Sequence, residues 1–198
     1  MKFTNKITLL FGIIVFAMLA FAPVEKKIIV IDAGHGGKDY GAVEGGYTEK
    51  ELVRQLAFQI TELNNDPEVA FMVIGQEDVF VDLQERVKAI NSLHPHLLIS
   101  LHLGTSPNKG KRGANAFVSS NNIDVATSKK FAENILQNLN GSTAGIIEKD
   151  LFVLKIVNCP AVTVEVGHLS NDQDRELLSS EAGQRQLAKK ILDAIISK

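Results

Sequence analysis

The chain contains no tryptophan and a single cysteine, Cys159. One thiol excludes any intrachain disulfide framework. With aromatics at 6% of residues, a stacking platform for single-stranded nucleic acid is excluded too. Neither charge sign dominates. Lysine and arginine number 21 against 23 acids, a net charge of −2, so the basic footprint of a nucleic-acid binder is missing and no nucleic-acid partner is expected. No internal repeat, low-complexity stretch or long linker divides the 198 residues, a length suited to one domain with a full core. Several catalytic signatures are also missing. Gly34-x-Gly36 meets Asp39 where a dinucleotide loop needs its third glycine. There is no phosphate loop, no HExxH pair and no G-x-S-x-G elbow. Cys159 precedes Pro160 and an apolar run, which fits an inert core thiol better than a nucleophile.

The N-terminus stands apart. Lys2 and Lys6 precede a mostly apolar stretch over 7–22. This is the pattern of a secretory signal peptide, and export to the periplasm or cell envelope is expected. Ala20-Phe21-Ala22 resembles a small-x-small cleavage site, but Pro23 would follow the cut. Residues 1–22 are therefore read as a signal peptide or a membrane anchor, and 27–198 as the folded domain.

From residue 27 onward, strand-like and helix-like stretches alternate. Aliphatic runs at 28–31, 69–74, 97–101, 114–118 and 161–166 read as strands. Apolar residues at helical spacing predict helices over 49–63, 83–93, 126–139, 172–178 and 182–196. The stretch 151–156 is ambiguous. Such alternation implies crossover units. The expected fold is a single α/β domain, with a central, twisted, mostly parallel sheet flanked by helices on both faces.

The chemistry gathers at strand ends. Ile28-Ile29-Val30-Ile31 runs into Asp32-Ala33-Gly34-His35-Gly36-Gly37, a histidine flanked by glycines where a buried strand finishes. His102 follows the run 97–101, and Glu165 lies near the end of 161–166. In an open parallel sheet the carboxyl ends of the strands share one edge, where ligands bind. Thr48-Glu49-Lys50-Glu51 matches a capping box with Thr48 as N-cap. That occupies Glu51 and leaves Glu49 free to turn toward His35. Two histidines and a carboxylate are a common set of ligands for catalytic zinc, leaving a position for water. A second carboxylate outside that set can act as general base and then general acid. His35, Glu49 and His102 are thus the candidate ligands for one zinc ion, and Glu165 the candidate catalytic base. His94-Pro95-His96 and the cluster Lys109, Lys111 and Arg112 read as ordinary loop residues. His168 is placed on the loop leaving the last strand.

Together these residues resemble the zinc-dependent N-acetylmuramoyl-L-alanine amidases of bacterial cell-wall metabolism, the type-3 amidases. Five ordered stretches carry the likeness: residues 31–42 around His35, Glu49-Lys50, the helix around Leu83-Gln84-Glu85-Arg86-Val87 with Ala89-Ile90-Asn91, Ser100-Leu101-His102, and 160–167 around Glu165 with Leu169-Ser170-Asn171. The resemblance implies one catalytic zinc, peptidoglycan as substrate, and hydrolysis of the amide joining N-acetylmuramic acid to L-alanine of the stem peptide. A monomer is expected. Three features depart from the family's habit. Gly104 stands where asparagine is common, His168 stands where an aromatic is usual, and Ile74-Gly75 replaces a threonine-arginine pair. Gly104 and His168 leave room for an alternative, an impaired relative that binds peptidoglycan without cleaving it. The segment between His102 and Glu165 is too short for an inserted blocking helix, so an open site is expected.

Overall fold

A computed structural model describes residues 26–196. The leader call on residues 1–22 lies outside the described residues. In chain order the elements are β1 (Lys27–Ala33), β2 (Val43–Glu44), β3 (Tyr47–Thr48), α1 (Glu49–Glu62), β4 (Val69–Ile74), α2 (Leu83–Ser92), β5 (Leu97–Gly104), β6 (Asn115–Val118), α3 (Val125–Asn140), β7 (Ile146–Glu148), α4 (Phe152–Ile156), β8 (Ala161–His168), α5 (Asp172–Ser179) and α6 (Glu181–Ile196). The main sheet runs β4-β1-β5-β8-β6-β7. Its pairs are parallel except β6 with β8, which is antiparallel. The expected mostly parallel α/β sheet is therefore present.

The strands read as unbroken aliphatic runs because both faces are covered. Ile29, Ile31 and Ala33 of β1, with Leu97, Ile99, Leu101 and Leu103 of β5 and Val162, Val164 and Val166 of β8, pack under α1, α3 and α6. Val30, Leu98 and Ala161 point the other way, toward Val87 and Ile90 of α2 and Val153 and Leu154 of α4. Each such valine, leucine or isoleucine side chain, fully buried, contributes about 1.5–3 kcal/mol. Cys159 belongs to the second cluster, and burial pushes its thiol up to about 12, as an inert core residue requires.

The second face changes character along the strands. Beyond Val30 and Leu98 come Asp32 and Ser100, which pair in register, and Thr163, which pairs with Ser100. The next step brings His102 beside Glu165. Side chains paired across parallel strands share a face. The register thus places the second candidate histidine and the candidate base next to each other before any loop is considered.

Four local readings differ from expectation. β5 continues through His102 to Gly104, and β8 through Glu165 to His168. His102 and His168 therefore belong to strands rather than to the loops beyond them, and Glu165 lies within its strand as read. A hairpin, β2–β3, turns at Gly45 and Gly46, both with positive φ. The 151–156 stretch resolves as the short α4 with β7 before it. Thr48 caps α1 as read, accepting from the Glu51 N–H, but its hydroxyl donates to Glu51 Oε2 at 2.7 Å, so Glu51 binds the hydroxyl rather than the Thr48 backbone.

Candidate active site

His35 sits in the turn leaving β1 with φ 70, the left-handed region that a residue with a Cβ enters at a cost. Its surroundings hold it there. The Gly36 and Asp39 backbones exchange two hydrogen bonds of 2.9 and 3.1 Å, and the Arg86 guanidinium donates to the His35 carbonyl. Asp39 Oδ2 meets His35 Nδ1 at 2.9 Å, fixing the ring so that Nε2 faces inward.

The first residue of α1, Glu49, completes the pairing from the other side. Its Oε1 lies 3.0 Å from His35 Nε2 and 2.8 Å from His102 Nδ1. The same oxygen accepts from the Leu103 N–H at 2.9 Å, and Oε2 accepts from the Ala42 N–H at 2.9 Å. The two imidazoles meet edge to face, with centroids 5.0 Å apart. Gly41 makes the approach possible. With φ +63, it would place a Cβ 2.6 Å from both Glu49 Oε2 and the His35 ring, so a larger residue is excluded by backbone and space alike.

Charge follows geometry. Burial acts to raise the Glu49 pKa, but the two imidazole nitrogens and the Ala42 N–H outweigh it and hold the carboxyl well below the usual range. Burial acts to lower the His35 pKa, and the Glu49 and Asp39 carboxylates overcome it, so the ring titrates above its ordinary value. A carboxylate kept ionised between two imidazoles is a ready set of donors for a divalent cation. One ligand atom from each of His35, Glu49 and His102 lies within 4.8 Å of the others, the one such group among the described residues.

Glu165 stands beside this group and outside it. Its Oε2 accepts from Asn115 Nδ2 at 3.1 Å. His35, Glu49, His102 and Glu165 all line one cavity of about 590 Å³. Phe80, Leu83, Phe117 and Phe152 supply apolar wall to it. His35 and His102 keep 20% and 30% of their side chains exposed, so the cleft reaches solvent. The four residues singled out in the sequence therefore meet.

Five supporting side chains were not assigned from the sequence: Arg86, Asp32, Ser100, Asp39 and Asn115. Arg86 is 3% exposed. It donates to Asp32 Oδ1 at 2.6 Å, to the Ala33 carbonyl at 2.9 Å and to the Val81 carbonyl at 3.1 Å. Asp32 Oδ2 accepts from the Ser100 hydroxyl at 3.0 Å. Asp39 and Asn115 orient His35 and Glu165. Two polar residues alternating with apolar ones, Asp32 in β1 and Ser100 in β5, were the available signal. His168 is corrected: it is the last residue of β8, 1% exposed, rather than a loop residue. His96 accepts the Ile28 N–H at 3.2 Å, and Lys109 pairs with Glu44 at 2.9 Å, so both serve local structure.

Comparison with known proteins points to one family. A family profile described as N-acetylmuramoyl-L-alanine amidase matches residues 29–197. The germination-specific N-acetylmuramoyl-L-alanine amidase of Bacillus subtilis (strain 168) is 28% identical over 193 residues, covering 88% of this chain and 80% of that protein. The solved N-acetylmuramoyl-L-alanine amidase from Clostridium difficile 630 superposes with a TM-score of 0.80 at 26% identity, covering 87% of this chain and 96% of the other. The catalytic domain of CwlV, an amidase of the same description from Bacillus (Paenibacillus) polymyxa var. colistinus, gives 0.77 at 30% identity, covering 85% and 96%.

Proposed function

The chain belongs to the N-acetylmuramoyl-L-alanine amidase family, and on that premise we propose that one zinc ion, held by His35, Glu49 and His102, serves the cleft with Glu165 as its base. The reaction is hydrolysis of the amide between the lactyl group of N-acetylmuramic acid and L-alanine of the peptidoglycan stem peptide. The observation that carries the reading is the meeting of three ligand atoms within 4.8 Å in a cavity that Glu165 also lines. Two nitrogens and a carboxylate oxygen suit zinc, and the Asp39 bond to the outer His35 nitrogen is the usual way to orient such a ligand. When bound, zinc supplies a Lewis acid that polarises a carbonyl and acidifies water.

The chain's own groups do the rest. Glu165 takes a proton from the attacking water as the water oxygen bonds to the amide carbon. The C–N bond then breaks, and Glu165 returns that proton to the departing L-alanine amine. The Asn115 side chain holds one Glu165 oxygen and leaves the other for this exchange. Phe80, Phe117 and Phe152 offer the apolar wall that excludes stray water. α4 forms part of that wall through Phe152 and Val153, and the solvent-exposed fractions of the His35 and His102 side chains support a site open without an activator. The cleft is complete within one chain, so a monomer suffices.

Mass spectrometry of digested sacculi tests the bond assignment. Free stem peptides beginning with L-alanine are expected. Fragments cut at another amide would point to a peptidase-type hydrolase, and pelleting with the wall without product would point to a binding-only relative. The substrate places the working protein in the cell envelope, with residues 1–22 as leader or anchor. Among the described residues no helix is long and apolar enough to cross a membrane.

The orienting role of Asp39 gives a further expectation. Asp39 is 44% exposed, so Asp39→Ala should fold normally. Freed of its partner, the His35 ring should hold metal about 10–100-fold less tightly. Zinc titration against a competing chelator measures this, and unchanged affinity would remove Asp39 from the site.

A further inference from the structure

Beyond Glu165 the cleft is continued by β6. Asn115 pairs in register with Glu165, and Phe117 with Thr163. Residues paired across neighbouring strands share a face. The face that holds the base therefore runs on, two residues or about 7 Å along the strand, to the Phe117 ring. Lys149 stands past it. Its N–H donates to the Val118 carbonyl at 2.9 Å, and its carbonyl accepts from the Leu151 N–H at 2.8 Å, so its backbone is tied to the end of β6. Its Nζ lies 5.9 Å from the Phe117 ring centroid. Thr163, Glu165, Phe117 and Lys149 line the same cavity as His35, Glu49 and His102.

Arg86 and Lys149 are the arginine and lysine of that lining. Arg86 is committed to Asp32 and to backbone carbonyls. Lys149 is exposed, and among the described residues its ammonium has the Phe117 ring and no carboxylate. The acids beside it in the chain are engaged elsewhere. Glu148 pairs with Lys129 at 2.5 Å, and Asp150 accepts from the Ser119 hydroxyl and the Asn121 amide at 2.6 Å each. Across the cleft, Asp39 and Glu49 face imidazoles and Asp82 caps α2. A cation left free on the wall of a cleft is complementary to an anionic group of the ligand. The glycan strand offers hydroxyls and acetamides, whereas the stem peptide offers carboxylates. Lys149 thus marks the side of the cleft that the peptide takes.

We propose that Lys149 is a substrate-binding residue that pairs with a carboxylate of the stem peptide and lays the peptide over Phe117. About three residues of extended peptide, at ~3.3–3.6 Å each, cover the way from the base to the ammonium. The carboxylate therefore belongs to the second or third residue of the stem. The contact is made equally before and during bond cleavage, so it acts on KM and not on kcat. Lys149 takes no part in proton transfer. The inference rests on the amidase reading and deepens it.

The test compares kcat and KM for wild type, Lys149→Met and Lys149→Arg on a disaccharide-tripeptide muropeptide in four forms: all stem carboxyls free, the second residue's amidated, the third residue's amidated, and all amidated. On the free form Lys149→Met should raise KM about three- to tenfold, the range for one part-solvated charged contact, with kcat unchanged. Lys149→Arg, which keeps the charge, should recover most of the difference. Amidating the bound carboxyl should raise the wild-type KM to the same degree and leave Lys149→Met nothing further to lose. The single amidation that does so identifies the residue bound. Equal KM for wild type and Lys149→Met on the free form, or an equal loss in Lys149→Met on the fully amidated form, would overturn the proposal. Kd for the four forms on Glu165→Gln, with and without Lys149→Met, reads the same pairing without bond cleavage. Lys149-dependent binding in a wild type that releases no free stem peptide would instead overturn the amidase reading and leave this contact standing.

Discussion

Glu165→Gln is expected to reduce kcat between about 10²- and 10⁴-fold, the range for losing a general base, while zinc stays at one per chain. Glutamine has the same shape and still offers an oxygen to Asn115 Nδ2, which now lies 3.1 Å from Glu165 Oε2. What it cannot do is take a proton from water at neutral pH. Glu165 is outside the group of three ligand atoms, so metal binding should not depend on its charge. Kinetics on a defined muropeptide, alongside metal analysis by mass spectrometry, read both quantities. Loss of zinc in this variant would mean that Glu165 is a ligand and that the division of roles is wrong.

Arg86→Met should cost about 3–5 kcal/mol of stability, the penalty for stranding one member of a buried ion pair. At about 2–4 °C per kcal/mol for a chain of this size, the thermal midpoint should fall by roughly 10 °C. Asp32 is 2% exposed and would keep only the Ser100 hydroxyl. The effect reaches the site as well. Arg86 donates to the Ala33 and His35 carbonyls, which flank the end of β1, and His35 is held at a φ of 70. Without that clamp the turn can relax, and zinc affinity should drop with stability. Pairing the change with Asp32→Asn should restore part of the stability and none of the affinity. Calorimetry with and without zinc separates the two, and an unchanged midpoint would refute the role given to Arg86.

The separation of legible from illegible features follows physical lines. β1, β5 and β8 are visible because strands covered on both faces carry unbroken aliphatic runs, and α1, α3 and α6 because their buried stripes repeat at helical spacing. His35 stands out because its neighbouring glycines leave it nothing to pack on. Glu49 follows from Thr48 as N-cap. The hairpin β2–β3 escapes because each strand is two residues long, too short for a period, although Gly45-Gly46 is a turn signal. β7 escapes for the same reason of length. Arg86 is hidden because one charged residue on an amphipathic helix reads as solvated. Only the fold turns it inward over Asp32. The ends of β5 and β8 are misjudged because glycine and histidine read as loop. In the sheet, Gly104 and His168 fill each other's space.

The most direct test is anomalous diffraction at the zinc edge from crystals of the zinc-loaded chain. One peak should appear, about 2.0–2.1 Å from His35 Nε2 and His102 Nδ1 and about 2.0–2.2 Å from a Glu49 oxygen, with both Glu165 oxygens beyond bonding distance. A peak elsewhere, or one bonded to Glu165 in place of Glu49, would contradict the account.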